Sequence, residues 1–184
     1  MHRLTRRNVL ARMASSTALL CPAILQAQTV NTNWGEIETD KPVGMDAIFE
    51  LPAGPATVDI SALAKGEVAV IARPSDDAKF SATGQVDYIA VLHRTDEQVA
   101  SAQVTARAVP VQNADYLVVS LLCPHRGKAI GITGDTSFPF ACTDQGRRHA
   151  SVFDSSGAGI SGASSDEAML VPDYMLIGTT LSLA

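Results

Sequence analysis

Two short segments of this chain carry cysteine and histidine at the close spacing typical of metal-binding loops. The first ligand box, or first box, reads Cys-Pro-His-Arg-Gly over residues 123–127. The second box begins at Cys142 and reaches His149 after six intervening residues. Sixteen residues lie between His125 and Cys142. Two thiolates and two imidazoles can share a metal centre only if the fold brings both loops together. The pattern therefore requires a scaffold that holds two separate loops side by side.

Cysteine is scarce in this chain, which limits the chemistry available to it. The three cysteines are Cys21, Cys123 and Cys142, and the first of them lies close to the N-terminus. The body of the protein therefore has two thiols. They form either one disulfide or half of a metal site.

Residues 1–27 have the pattern of an export signal. The order Thr-Arg-Arg-Asn-Val-Leu over residues 5–10 precedes an apolar stretch that reaches Ala27 without an acidic residue. Adjacent arginines before such a stretch match a twin-arginine signal. We expect a periplasmic protein whose leader is either cleaved or kept as an anchor helix in the inner membrane. Twin-arginine export carries folded proteins, which suits a protein loaded with a cofactor in the cytoplasm.

The body is more acidic than the formal charge of −5 for the whole chain indicates. Four of the 14 Lys and Arg residues lie in the leader, so ten basic residues remain against 19 acidic ones, a charge of −9. This charge disfavours nucleic acid and anionic membrane surfaces as partners. It favours a basic protein partner.

Short strand patterns separated by turn residues dominate the body. Residues 28–55 read as a linker followed by an edge segment, and residues 56–184 as one domain. Thr95 and Gln98 have the spacing of a helix capping box. Strands are predicted at 58–60, 67–71, 88–92, 116–122, 174–177 and 180–183. We therefore expect a mostly β fold, a small antiparallel β domain with one short helix.

The order of these segments resembles the Rieske 2Fe–2S protein family. The first box, the strand before it and the sixteen-residue interval carry the likeness. His93-Arg94-Thr95 at the start of the helix, Val171-Pro172-Asp173-Tyr174 and the leader are similar to the iron–sulfur subunit of the quinol–cytochrome c reductase (cytochrome bc complex). The resemblance covers the leader and about residues 55 to 184.

The resemblance implies a cluster-binding loop subdomain that holds a Rieske-type 2Fe–2S cluster. Its metal ligands would be Cys123, His125, Cys142 and His149, and Ser151 and Gly127 would contact the cofactor. In the family, two Cys bind one iron and two His bind the other. The cluster takes an electron from quinol and passes it to a c-type cytochrome, with cytochrome b as a neighbouring subunit. His149 would face the quinol and take up its proton.

The second box departs from the family and admits two alignments. Counted forward from Cys142, the usual histidine position holds Gln145, a poor ligand for ferric iron, and the cluster would be lost or damaged. Counted backward from Asp154, residues 149–154 match the family's His-Gly-Ser-x-Tyr-Asp. We favour the second alignment, because it keeps His149, Ser151 and Asp154 in register. Residues 143–148 then form an enlarged ligand loop.

Two other differences are expected to weaken the shielding of a cluster. Family members usually join the two loops by a disulfide, whereas this chain has Lys128 at one position and Thr143 or Asp144 at the other. Loss of a disulfide typically costs about 2–5 kcal/mol and loosens the loops. Gly162-Ala163 also stands where a Gly-Pro turn usually covers the cluster.

Phe153 occupies the position of a family tyrosine whose hydroxyl bonds a cluster sulfur. Hydrogen bonds to sulfur stabilise the reduced state of a cluster, and a chain with fewer of them stabilises that state less. We therefore expect a potential in the lower part of the Rieske range, about −150 to +300 mV.

Three alternatives remain open at this point. One is the small Rieske subunit of an exported molybdenum oxidase of the arsenite oxidase kind, with a molybdopterin subunit as its partner. Another is a cluster-free accessory domain of Rieske fold. The last is a structural zinc site, since two Cys and two His also suit tetrahedral zinc.

Overall fold

The computed structural model describes residues 48–50, 55–74, 86–143 and 150–184 of the 184-residue chain. The predicted leader lies outside these residues, and so do Gln145 and His149. In the described part, eleven strands and one α-helix follow one another. They are β1 (Ile48–Glu50), β2 (Ala56–Asp59), β3 (Val68–Pro74), β4 (Val86–His93), α1 (Asp96–Val104), β5 (Tyr116–Ser120), β6 (Ile130–Ile132), β7 (Phe140–Cys142), β8 (Val152–Phe153), β9 (Gly159–Ser161), β10 (Tyr174–Ile177) and β11 (Thr180–Leu183).

The described strands form three sheets. The central sheet has the order β1-β3-β4-β5, the terminal sheet β10-β11-β2, and the loop-bearing sheet β6-β7-β8-β9. Every pairing is antiparallel except that of β1 with β3. The predicted small antiparallel β domain with one short helix is confirmed. The segment predicted as linker and edge contributes β1, which lies at the edge of the central sheet.

The central sheet is buried on both of its faces. Alternate residues such as Val70 and Leu92 belong to one apolar cluster with Phe140 of the loop-bearing sheet. The residues between them, such as Ile71, belong to a second cluster with Leu181 of the terminal sheet. Because successive side chains of a strand point to opposite faces, a strand buried on both faces needs a continuous apolar run. This is why the buried parts of β3, β4 and β5, residues 68–71, 89–92 and 116–119, are uninterrupted hydrophobic runs.

Helix α1 begins at the predicted capping box. Thr95 Oγ1 accepts the N–H of Gln98 at 3.3 Å, and Gln98 Oε1 accepts the N–H of Thr95 at 2.8 Å. Gln98 is buried, and its Nε2 donates to the carbonyl of Thr136 at 2.5 Å, which ties the helix to the β6–β7 turn. No helix in the described ranges combines the length and the apolarity needed to cross a bilayer.

The loop-bearing sheet is the part of the fold that the sequence did not predict. Its strands have only two or three residues each, too few to produce a visible alternation. Strand β5 also ends at Ser120, two residues before the predicted end, and Leu122 makes a single bridge to Ala129 instead. The chain therefore leaves the central sheet at Ser120, forms the first ligand loop, and enters the loop-bearing sheet at Ile130.

Candidate metal centre

Three connections leave the loop-bearing sheet at one of its ends. Residues 123–128 lead into β6, Thr143 follows β7, Ala150 and Ser151 precede β8, and a 3₁₀ turn (Gly162–Ser164) follows β9. Antiparallel neighbours run in opposite directions. The same end of the sheet therefore holds the start of β6, the end of β7, the start of β8 and the end of β9. The topology thus brings both predicted ligand loops together.

The first loop is closed by its own backbone. The Cys123 N–H donates to the carbonyl of Lys128 at 2.7 Å, and the Gly127 N–H donates to the carbonyl of Cys123 at 2.8 Å. Gly127 has a φ of +63°, a left-handed conformation that favours glycine. As a result Cys123 is only 3% exposed, while His125 at the tip of the loop is exposed.

The Cys123 and Cys142 thiols are in hydrogen-bonding contact. Cys142 is 2% exposed, and its N–H donates to the carbonyl of Ser151 at 2.8 Å. In the described part of the chain both cysteines are reduced, and no disulfide joins them. Two buried sulfur atoms from separate loops therefore meet at one point.

The surroundings of the Cys123 sulfur favour the thiolate. The hydrogen bond from Cys142, backbone N–H groups of His125 and Arg126, and the Ser164 hydroxyl together lower the pKa of Cys123 to about 6, although burial opposes the shift. The thiolate is the form of cysteine that binds metal and attacks electrophiles. The site is therefore built to hold negative charge on this sulfur.

The 3₁₀ turn packs tightly against the second loop. Gly162 has a φ of +78°, and a Cβ at this position would lie 2.2 Å from the carbonyl oxygen of Ala150. The N–H of Ser164 donates to Ser151 Oγ at 3.0 Å. Ser164 Oγ lies 3.7 Å from Cys123 Sγ, and Ser151 and Ser164 are both fully buried. Sequence reasoning did not identify Ser164, since a serine 41 residues beyond Cys123 carries no motif.

The predicted site residues differ in where they lie. Cys123, Cys142 and Ser151 are buried together, and Gly127 shapes the first loop. His125 lies in that loop, whereas His149 falls outside the described residues. Within the described ranges, no set of three or more His, Cys, Asp and Glu side chains is grouped closely enough for one metal ion. What the fold brings together there is a cysteine pair with its hydrogen-bond donors.

Comparison of the chain with known protein families and with curated proteins finds no match.

Proposed function

We propose that this chain is a periplasmic electron-transfer protein of Rieske fold, exported by the twin-arginine route, that binds a 2Fe–2S cluster. The observation that carries the proposal is the contact between two buried thiols from separate loops, Cys123 and Cys142. A Rieske centre needs such a pair, because both cysteines bind the same iron. The sheet β6-β7-β8-β9 with its three loops would be the cluster-binding subdomain.

The described residues fit half of such a centre. Metal-binding cysteines must be deprotonated, and the lowered pKa of Cys123 meets this requirement. Backbone N–H groups of His125 and Arg126 donate to the Cys123 sulfur, as is usual around iron–sulfur clusters. The imidazoles of His125 and His149 would complete the ligand set on the second iron.

The contrast in exposure between cysteines and histidine suits an electron carrier. Cys123 and Cys142 are 3% and 2% exposed, so they keep water from the buried side of the centre. The first loop presents His125 to solvent, where a redox partner could approach. When bound, the cluster would supply one-electron exchange. By the resemblance, His149 would hold the proton released by a quinol.

The partners are proposed from the resemblance and from charge. The electron donor would be quinol at cytochrome b, and the acceptor a c-type cytochrome, within a membrane respiratory complex to which the N-terminal segment could anchor this chain. The charge of −9 outside the leader favours a basic acceptor. A molybdopterin oxidase subunit is the alternative partner, and an oxidase of the arsenite kind would then be the assembly.

Stopped-flow kinetics test this function. The full chain, isolated with its cluster and reduced, is mixed with a basic c-type cytochrome over a range of salt concentrations. We expect rapid electron transfer that slows as salt rises, because opposite charges steer the encounter. A slow, salt-independent reaction would argue against a cytochrome acceptor. Cys142→Ala, which leaves no donor atom at this position, is the matched control and should transfer no electrons.

A further inference from the structure

Ser164 is the only hydroxyl among the described residues that makes a side-chain hydrogen bond to the Cys123 sulfur. Its Oγ lies 3.7 Å from Cys123 Sγ, and the serine side chain is fully buried. The pair joins residues 41 positions apart in the chain. Water therefore has little access to this contact.

The Ser164 hydroxyl is held in place by the backbone around it. The Ser164 N–H donates to Ser151 Oγ at 3.0 Å, and the Ser164 carbonyl accepts the N–H of Glu167 at 3.0 Å. Gly162, two residues earlier, lies directly against the carbonyl of Ala150. The 3₁₀ turn is thus fixed on both sides of Ser164, and the hydroxyl does not depend on a mobile loop.

The chemistry of the pair sets the direction of the hydrogen bond. A metal-bound cysteine has lost its hydrogen, so in the loaded protein the hydroxyl must donate and the sulfur accept. A hydrogen bond to a cluster sulfur is stronger when the cluster carries more negative charge, which is its reduced state. The hydrogen bond from Ser164 to the Cys123 sulfur therefore favours the reduced state of the cluster.

We propose that Ser164 is a positioning residue that raises the reduction potential of the cluster by donating a hydrogen bond to Cys123. The inference rests on the proposed function, since it concerns the potential of the bound cluster. It also bears on Phe153, which lies in the same buried apolar cluster as Cys123 and brings no hydroxyl to it. Ser164 supplies from the 3₁₀ turn a donor that Phe153 does not.

Redox titration of the full chain with its cluster tests the proposal, with Ser164→Ala as the variant and Ser165→Ala, at the residue that caps the 3₁₀ turn, as the matched control. For Ser164→Ala we expect the equilibrium constant for reduction to fall by about tenfold, since bonds to charged groups are the strong ones. Tenfold corresponds to about 59 mV for a one-electron couple. The control should keep the parent potential. An unchanged potential in Ser164→Ala would overturn the proposal.

A second measurement does not depend on the cluster. In the metal-free protein, the rate at which Cys123 is alkylated is followed by peptide mass spectrometry below neutral pH. Ser164→Ala should slow alkylation severalfold, because the thiolate loses a hydrogen-bond donor, and Ser165→Ala should not.

If the protein binds no cluster yet this slowing occurs, the proposed function fails and the hydrogen bond stands. If alkylation is unchanged, the hydrogen bond and the inference both fail. Ser164→Gly, which also lacks the hydroxyl, replaces the Ala variant should that variant not fold.

Discussion

Thr143 donates two hydrogen bonds to the carbonyl oxygen of Ala129, one from its backbone N–H at 2.9 Å and one from its hydroxyl at 2.8 Å. The bonds join the second ligand loop to the end of the first, beside Lys128. By the resemblance, Lys128 and Thr143 stand near the positions of the family's disulfide. Hydrogen bonds therefore connect the loops at the point where members of the family usually have a covalent clamp, which the sequence predicts to be absent here.

Thr143→Val should loosen the ligand loops while keeping the shape of the side chain. It removes one of the two bonds to Ala129, and we expect a loss of about 1 kcal/mol in the free energy of unfolding. The proposed cluster should also be released faster into a chelator. Thr133→Val is the control, since the Thr133 hydroxyl donates to the carbonyl of Phe138 at 2.6 Å at the far end of the same sheet. Equal rates of cluster release in both variants would contradict the role given to Thr143.

The reactivity of Cys123 should depend on Cys142. In the metal-free protein, alkylation of Cys123 is expected to rise with pH around a midpoint of about 6, because the thiolate is the reacting form. Cys142→Ala removes the hydrogen-bond donor that is the largest cause of the lowered pKa, so the midpoint should move upward toward the ordinary value of about 8.5. Peptide mapping by mass spectrometry separates Cys123 from the other thiols. A parent midpoint near the ordinary value would count against the contact.

Gly162→Ala should destabilise the turn that covers the cysteine pair. The added Cβ would meet the Ala150 carbonyl oxygen at 2.2 Å and would occupy a left-handed backbone conformation, with a combined cost of about 3 kcal/mol. Gly178→Ala is the matched control, because Gly178 has a φ of +60° but nothing within 4 Å of its Cβ position. Its cost should be about 1 kcal/mol, from backbone strain alone. Urea unfolding measures both, and equal losses would refute the close packing of Gly162.

His149→Ala and Gln145→Ala decide between the two alignments of the second box. Because we favour the alignment that keeps His149 as a ligand, His149→Ala should abolish cluster binding, and Gln145→Ala should retain it. Iron and acid-labile sulfide content per chain give the readout. Loss of the cluster in Gln145→Ala alone would reverse the assignment.

The sequence predicted those parts of the fold whose determinants are local. The Thr95–Gln98 capping box lies within four residues, and β10 and β11 have the predicted bounds because turn residues separate them. The strands β6 to β9 were not predicted, since each is shorter than the pattern that identifies a strand. They form because Phe140 and Phe153 pack against the central sheet, a tertiary contact that no local pattern reports.

The site likewise has residues that a local motif predicts and residues that only the tertiary structure brings together. The spacing of the two boxes predicts that Cys123 and Cys142 lie close together. Ser164 could not be found by this route, because its position depends on the direction in which β9 returns to the loop end of the sheet. The Thr143 contact with Ala129 likewise depends on the pairing of β6 with β7.

Electron paramagnetic resonance of the purified, reduced full chain tests the central claim most directly. We expect a red-brown protein with the rhombic signal of a Rieske cluster, and a potential in the lower part of the range of about −150 to +300 mV. A colourless protein that contains zinc would mean a structural zinc site, and one without metal would mean a cluster-free accessory domain. Either result would contradict the account.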